Sequence, residues 1–234
     1  AVIKDEYLLL FRSLFKNFKR HVAVIDVLAK KKKGMYRAEI TKALKITDGG
    51  SFSEVLSQLE AADFITTYNL PNTTKKNAIY KISDQYILFY KNFVEKHQKT
   101  SNYWINNINT PQWYSWAGLA FELTCYNHVE KIKQALGIEG IQSNTYVWAN
   151  KNAQIDLIID RKDRVINLFE IKFSDKEYSV TKDYEKEIRN KLSEFQQAYP
   201  STKSTWFVLM TTFGLKSKTN ASVFQKVLDM GELF

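Results

Sequence analysis

Two apolar segments separated by a short polar turn constrain the fold more than any other feature of this sequence. The first covers residues 154–160 and is rich in Ile and Leu, and the second covers residues 164–173 and is rich in Ile, Val, Leu and Phe. Segments of this length that are apolar at consecutive positions are typical of strands buried on both faces of a sheet. We therefore predict two neighbouring strands in a mixed sheet that is flanked by helices.

Charged side chains interrupt both of these predicted strands. Asp156 lies inside the first strand, and Glu170 and Lys172 lie at the end of the second. Residues i and i+2 of a strand share a face, so Glu170 and Lys172 are expected side by side. A charge in a buried strand is costly unless it is paired or bound to a metal. The alternative is purely structural, with Glu170 and Lys172 as an ion pair and Asp156 capping the strand or pairing with Arg161.

Carboxylates on two neighbouring strands can converge on one cation. Mg²⁺ binds through one or two carboxylates together with substrate phosphate and water. Such a metal lowers the pKa of a bound water, and a lysine beside it can orient that water or stabilise developing negative charge. The pattern therefore favours phosphodiester hydrolysis.

The first half of the chain predicts helices followed by a hairpin. Helices are expected over residues 5–18, 22–29, 36–44 and 52–62, and strands over residues 63–68 and 78–82. This order is typical of a winged helix-turn-helix, in which one helix enters the major groove and the wing contacts the DNA backbone. The expected DNA contacts come from the reading helix and the wing: Ser51, Ser53, Ser57, Gln58, Lys75 and Lys76. A role in protein packing alone remains the alternative for this module.

Positive charge is concentrated in the same half. The net charge is +9, and residues 1–110 hold 18 basic against 10 acidic residues, whereas residues 111–234 hold 16 against 15. Such an uneven distribution indicates a polyanionic partner for the first half, although a solvated lysine-rich surface would have the same composition. We place a domain boundary near Pro111, which gives domains 1–110 and 111–234.

The second half predicts alternating strands and helices. Helices are expected over residues 116–136, 182–198 and 222–229, and strands over residues 145–149, 154–160, 164–173 and 204–210. No apolar run approaches the roughly 20 residues of a membrane span, so no membrane association is expected. The single cysteine fits a reducing, cytoplasmic location and excludes a multi-cysteine zinc site.

At the charged positions the sequence resembles the PD-(D/E)XK nuclease superfamily, whose fold is restriction endonuclease-like. Asp156 and the segment Glu170-Ile171-Lys172 correspond to its signature, and Glu122 resembles a glutamate that many of its families carry on the first helix. The resemblance implies that Asp156 and Glu170 bind Mg²⁺ or Mn²⁺. It also implies that Glu122 is a further ligand, directly or through water, and that Lys172 is the catalytic lysine.

A wider resemblance covers nearly the whole chain. Segments 116–122, 154–161, 170–174 and 211–215 are similar to the C-terminal part of a family of prokaryotic AAA+-like ATPases. These proteins resemble an archaeal-type ATPase domain joined to a winged helix and a nuclease-like domain. The chain has no Gly-x-x-x-x-Gly-Lys-Ser/Thr motif, so the ATPase is expected as a partner, in cis or in trans. Further candidate DNA contacts are Lys191, Gln196, Gln197 and Tyr199.

The sequence thus predicts a DNA-binding hydrolase, a metal-dependent endodeoxyribonuclease module of an AAA+-type ATPase. The alternative is a catalytically silent nuclease-like domain that serves the ATPase as a DNA-binding or assembly module. A transcription regulator acting through the winged helix alone would leave the second half unexplained.

Overall fold

The computed structural model describes residues 2–31, 34–68, 78–95, 102–217 and 219–234. The chain forms two compact units, Ala1–Ala120 and Phe121–Phe234, which are treated separately below. The division between the units lies inside the helix Pro111–Asn127.

Four helices form most of the first unit. They are α1 (Val2–Leu14), α2 (Phe18–Leu28), α3 (Arg37–Leu44) and α4 (Gly50–Ala61). Helix α2 packs against the other three because apolar residues recur along one face of each helix. The resulting core contains Phe11, Val24, Ile25, Leu28, Ile40, Phe52, Leu56 and Leu59.

A small antiparallel sheet accompanies these helices. Strand β3 (Ile79–Ile82) lies between β1 (Met35–Tyr36) and β2 (Ile65–Tyr68). Gly34 precedes β1 with φ +81°, and a Cβ there would lie 2.6 Å from Cγ2 of Ile79. Only glycine permits this close approach of the chain to β3.

Shorter helices complete the first unit and lead into the second. Helix α5 (Gln85–Phe89) continues as a π-helical turn, Tyr90–Val94, and is followed by α6 (Tyr103–Asn107). Helix α7 (Pro111–Asn127) crosses the division between the units. Within the first unit an edge-to-face aromatic cluster contains Phe89, Phe93, Trp104 and Trp116.

A five-stranded mixed sheet is the centre of the second unit. In sheet order its strands are β4 (Ser143–Ala149), β5 (Gln154–Arg161), β6 (Val165–Lys172), β7 (Ser204–Thr211) and β8 (Phe224–Asp229). The β4–β5 and β5–β6 pairs are antiparallel, whereas β6–β7 and β7–β8 are parallel. The predicted pair of apolar strands is thus β5 and β6, with β6 in the middle of the sheet.

Helices lie on both faces of this sheet. Phe169 and Ile171 of β6 belong to a buried core with Phe121 and Cys125 of α7, and α8 (Val129–Ala135) contributes to the same core. The even-numbered residues of β6 face the other way, where side chains of α9 (Lys182–Ala198) contact them. The predicted mixed sheet flanked by helices is confirmed at this level.

Two of the predicted helices differ from the structure. The helix expected over residues 222–229 is wrong, because Phe224–Asp229 is the edge strand β8 paired with β7. The single helix expected over residues 116–136 is two helices, α7 and α8, separated at His128. Across the described part of the chain, no helix combines the length and apolarity that a membrane span requires.

Candidate active site

A bulge in β5 sets the position of Asp156. Tyr146 of β4 pairs with Ile158 and Trp148 pairs with Ile155, so β5 contains one extra residue between these pairs. Bulges of this kind redirect a side chain and are common beside active sites. The Asp156 carboxylate accepts a hydrogen bond of 2.9 Å from the backbone N–H of Ile171 on β6. The bulge therefore turns Asp156 towards the end of the neighbouring strand.

Glu170 on β6 is the most enclosed charged group of the site, with an exposed fraction of 1%. Its Oε1 accepts hydrogen bonds from the Tyr184 hydroxyl at 2.8 Å and from Lys191 Nζ at 2.9 Å. Lys172 Nζ also lies 2.9 Å from Oε1, and Lys191 Nζ lies 2.8 Å from Oε2. One buried carboxylate is thus held by two ammonium groups and a phenol.

Helix α9 brings Tyr184 and Lys191 to the sheet. Tyr184, Ile188, Lys191 and Phe195 follow one another at helical spacing on a single face, and Ile188 and Phe195 are fully buried. The helix begins after Thr181, whose hydroxyl accepts a hydrogen bond from the backbone N–H of Tyr184. Tyr184 was not predicted as a site residue from the sequence, and Lys191 was predicted only as a candidate DNA contact. Two polar residues in an otherwise buried stripe are the signal that could have identified both.

The electrostatic environment differs between the two strand carboxylates. Burial raises the pKa of Asp156 to about 7, and repulsion from Glu170 and Glu122 adds to the increase. Burial also acts to raise the pKa of Glu170, but attraction to Lys172 and Lys191 outweighs it, so that this pKa is lowered. The site therefore favours a charged Glu170 and makes Asp156 harder to ionise than an ordinary aspartate.

Lys172 stays protonated in this environment and can donate hydrogen bonds. Burial acts to lower the pKa of Lys172, but its attraction to Glu170 outweighs burial and raises the pKa. Its side chain is 34% exposed, whereas that of Lys191 is 12% exposed. Lys172 is therefore the ammonium group that is more accessible to a bound phosphate.

Glu122 lies close enough to the strand residues to affect them. It is half-buried on α7, and it contributes to the raised pKa of Asp156. Burial raises the pKa of Cys125, and repulsion from Glu122 and Asp156 increases it further. The four predicted site residues are thus brought into one region.

The proposed pairing of Asp156 with Arg161 is not the one that forms, because Arg161 pairs with Asp163.

The donor atoms suit a hard divalent cation, but they are not arranged as a finished metal site. Carboxylate oxygens are the ligands that Mg²⁺ prefers, and two of them together with substrate phosphate are enough. Among the residues that the structure describes, no three His, Cys, Asp or Glu side chains already surround a common point. Both oxygens of Glu170 also contact Lys191.

The serines expected to contact DNA lie on the exposed side of α4, in the first unit. Ser51 accepts a hydrogen bond of 2.6 Å from Arg20, and Ser53 accepts one of 2.7 Å from Arg37. Each of these two serines therefore has an arginine beside it, and Ser57 is exposed on the same helix. Neither Arg20 nor Arg37 was among the DNA contacts predicted from the sequence.

Other expected contacts have partners within their own unit. Oε1 of Gln58 lies 2.7 Å from Nε2 of the buried His21. In the second unit, Gln196 donates a hydrogen bond to Thr205 and Gln197 donates one to Ser193. Lys75 and Lys76, the expected wing residues, lie outside the described residues.

Comparisons of the chain with protein-family models, with curated proteins and with solved structures found no significant match.

Proposed function

We propose that the second unit is a PD-(D/E)XK nuclease-like module that hydrolyses phosphodiester bonds in DNA with Mg²⁺ or Mn²⁺. The observation that supports this proposal most strongly is the convergence of Asp156, Glu170 and Lys172 at a bulge beside the central strand. Functional sites commonly combine carboxylates of perturbed pKa with a neighbouring cation.

Each side chain has a distinct role in this proposal. Asp156 and Glu170 would hold the metal, and Glu122 would bind it directly or through water. The bound metal supplies a water of lowered pKa and screens the phosphate charge. Lys172, which is protonated and partly exposed, donates to a phosphate oxygen on which negative charge develops. Tyr184 holds the orientation of Glu170 through its hydroxyl.

We further propose that the first unit contains a winged helix that binds DNA. Helix α2, strand β1, helices α3 and α4, and strands β2 and β3 follow one another in the order that such domains use. The polar surface of α4 lies next to Arg20 and Arg37, and the excess of basic residues is in this half of the chain. Phosphate contacts of such cations supply most of the affinity for nucleic acid. The proposed attachment to an AAA+-type ATPase depends on the sequence resemblance alone.

A second candidate function is a catalytically silent nuclease-like module that binds DNA or assembles with the ATPase. The contact of Lys191 with both oxygens of Glu170 favours it, because an ammonium group there already neutralises the carboxylate. Metal binding distinguishes the two candidates.

The test is a calorimetric titration of the protein with Mn²⁺. We expect the wild type to bind, and we expect Asp156→Asn to weaken binding about tenfold or more, because a charged ligand is lost. Asp183→Asn is the matched control, since this aspartate is 95% exposed at the start of α9. No binding, or binding that Asp156→Asn leaves unchanged, would contradict the metal site and favour the silent module.

A further inference from the structure

The Lys191 ammonium group lies in front of the Glu170 carboxylate, where a metal ion bound by this carboxylate would also lie. Its Nζ lies 2.9 Å from Oε1 and 2.8 Å from Oε2, in front of the carboxylate and almost equally far from the two oxygens. Lys172 and Tyr184 both contact Oε1. Mg²⁺ approaches its oxygen ligands to about 2.0–2.1 Å, so a metal and the Lys191 ammonium cannot share this position.

Lys191 also has a second carboxylate within reach. Glu187 lies one turn earlier on α9, and its Oε1 is 3.4 Å from Lys191 Nζ. The Glu187 side chain is largely exposed, whereas Glu170 is buried. A lysine has a flexible four-carbon stem and an ammonium group that acts as a point charge. Its charge can therefore move from the buried acceptor to the exposed one without movement of the helix.

We propose that Lys191 is an internal cation that competes with the divalent metal for Glu170, and that metal entry moves its ammonium group to Glu187. This inference builds on the metal site of the proposed function. With Lys191 on Glu170, the buried carboxylate is neutralised and the pocket is stable without metal. With the metal bound, Lys191 lies at the exposed surface of α9. The apparent metal affinity then equals the intrinsic affinity multiplied by the fraction of molecules in which Lys191 has left Glu170.

The test compares the Mn²⁺ affinity of two variants, each of which removes one positive charge that contacts the Glu170 carboxylate. Lys191→Met should bind Mn²⁺ about tenfold more tightly than the wild type, because the competitor is absent. Lys172→Met controls for the general loss of positive charge, because Lys172 also contacts Glu170, 2.9 Å from Oε1, but has a more exposed side chain than Lys191. Its gain in affinity should be clearly smaller than that of Lys191→Met.

The outcomes separate this inference from the proposed function. Equal gains in the two variants, or no gain in Lys191→Met, overturn the competition, and the metal site remains if the wild type still binds. Binding by Lys191→Met but not by the wild type supports the competition and makes the wild type the silent module. If neither protein binds Mn²⁺, both the metal site and the competition are overturned.

A measurement on the wild type covers the case in which Lys191→Met does not fold. Amine acetylation mapped by mass spectrometry reports how accessible each lysine is. Saturating Mn²⁺ should raise the labelling of Lys191 several-fold relative to Lys186, which is 79% exposed on the same helix. Labelling of Lys191 that does not change with Mn²⁺ overturns the proposal.

Discussion

Asp156 combines burial with like-charge repulsion, and this combination has a consequence for stability. Its pKa is raised from 3.8 to about 7 by burial and by Glu170 and Glu122. A group whose folded pKa is raised contributes stability that is complete below the unfolded pKa and is lost as the pH rises through the folded pKa. Asp156 therefore stabilises the fold at low pH and costs stability above about pH 7.

The expected result is a difference in pH dependence between the wild type and Asp156→Asn. The free energy of unfolding of the wild type should fall relative to that of Asp156→Asn as the pH rises from about 4 to about 7. Urea denaturation at a series of pH values measures this difference. Parallel pH profiles for the two proteins would show that Asp156 does not titrate in this window.

The two lysines at Glu170 differ in what surrounds them. Lys172 shares the strand with Glu170 and is partly exposed, whereas Lys191 comes from α9 and is more enclosed. The distinction matters because a donor to substrate must be accessible, and a cation that neutralises a buried carboxylate need not be. We therefore propose that the more exposed Lys172 contacts the phosphate of a substrate and that Lys191 mainly neutralises Glu170.

At the scale of the elements, the sequence predicts the centre of the sheet better than its edge. Strands β5 and β6 were predictable because each contains several large apolar residues close together in the sequence. Residues 222–229 were wrongly predicted as a helix because Val223, Phe224, Val227 and Leu228 also match helical spacing. Residues 224–229 form a strand rather than a helix because they pair with the edge of β7. This pairing depends on the tertiary fold and not on the local sequence.

The same limit applies to the candidate site. Asp156, Glu170 and Lys172 were predictable because a charge inside an apolar strand stands out in the sequence. Tyr184 and Lys191 lie 14 and 21 residues after Glu170 on a different element, so their contact with it depends on how α9 packs on the sheet. The bulge that turns Asp156 could not be predicted from the sequence either, because it is defined by the register of β4 against β5.

Helix α4 carries a prediction for DNA binding. Ser57→Glu should weaken binding to a DNA duplex about tenfold at low salt, because a carboxylate on this surface repels phosphate. Ser13→Glu is the matched control, because it introduces the same charge at an exposed position of α1. Fluorescence anisotropy with a labelled duplex measures both affinities. Equal weakening by the two variants would show that α4 is not the contact surface.

For the whole molecule, charge and chemistry are separated along the chain. Residues 1–110 have eight more basic than acidic residues, and residues 111–234 have one more. The carboxylates that would hold a metal all belong to the second unit. We infer that the first unit supplies most of the affinity for nucleic acid and that the second unit supplies cleavage. The second unit does not need a strongly basic surface in this arrangement.

Cleavage of supercoiled plasmid is the most direct test of the central claim. The wild type, Asp156→Ala and Lys172→Ala are incubated with plasmid and Mg²⁺ or Mn²⁺, with a chelator in parallel. We predict nicking that requires the metal and is lost in both variants, because one removes a metal ligand and the other the donor to phosphate. No cleavage by the wild type, or cleavage that survives in Asp156→Ala and Lys172→Ala, would contradict the claim that these residues form a nuclease site.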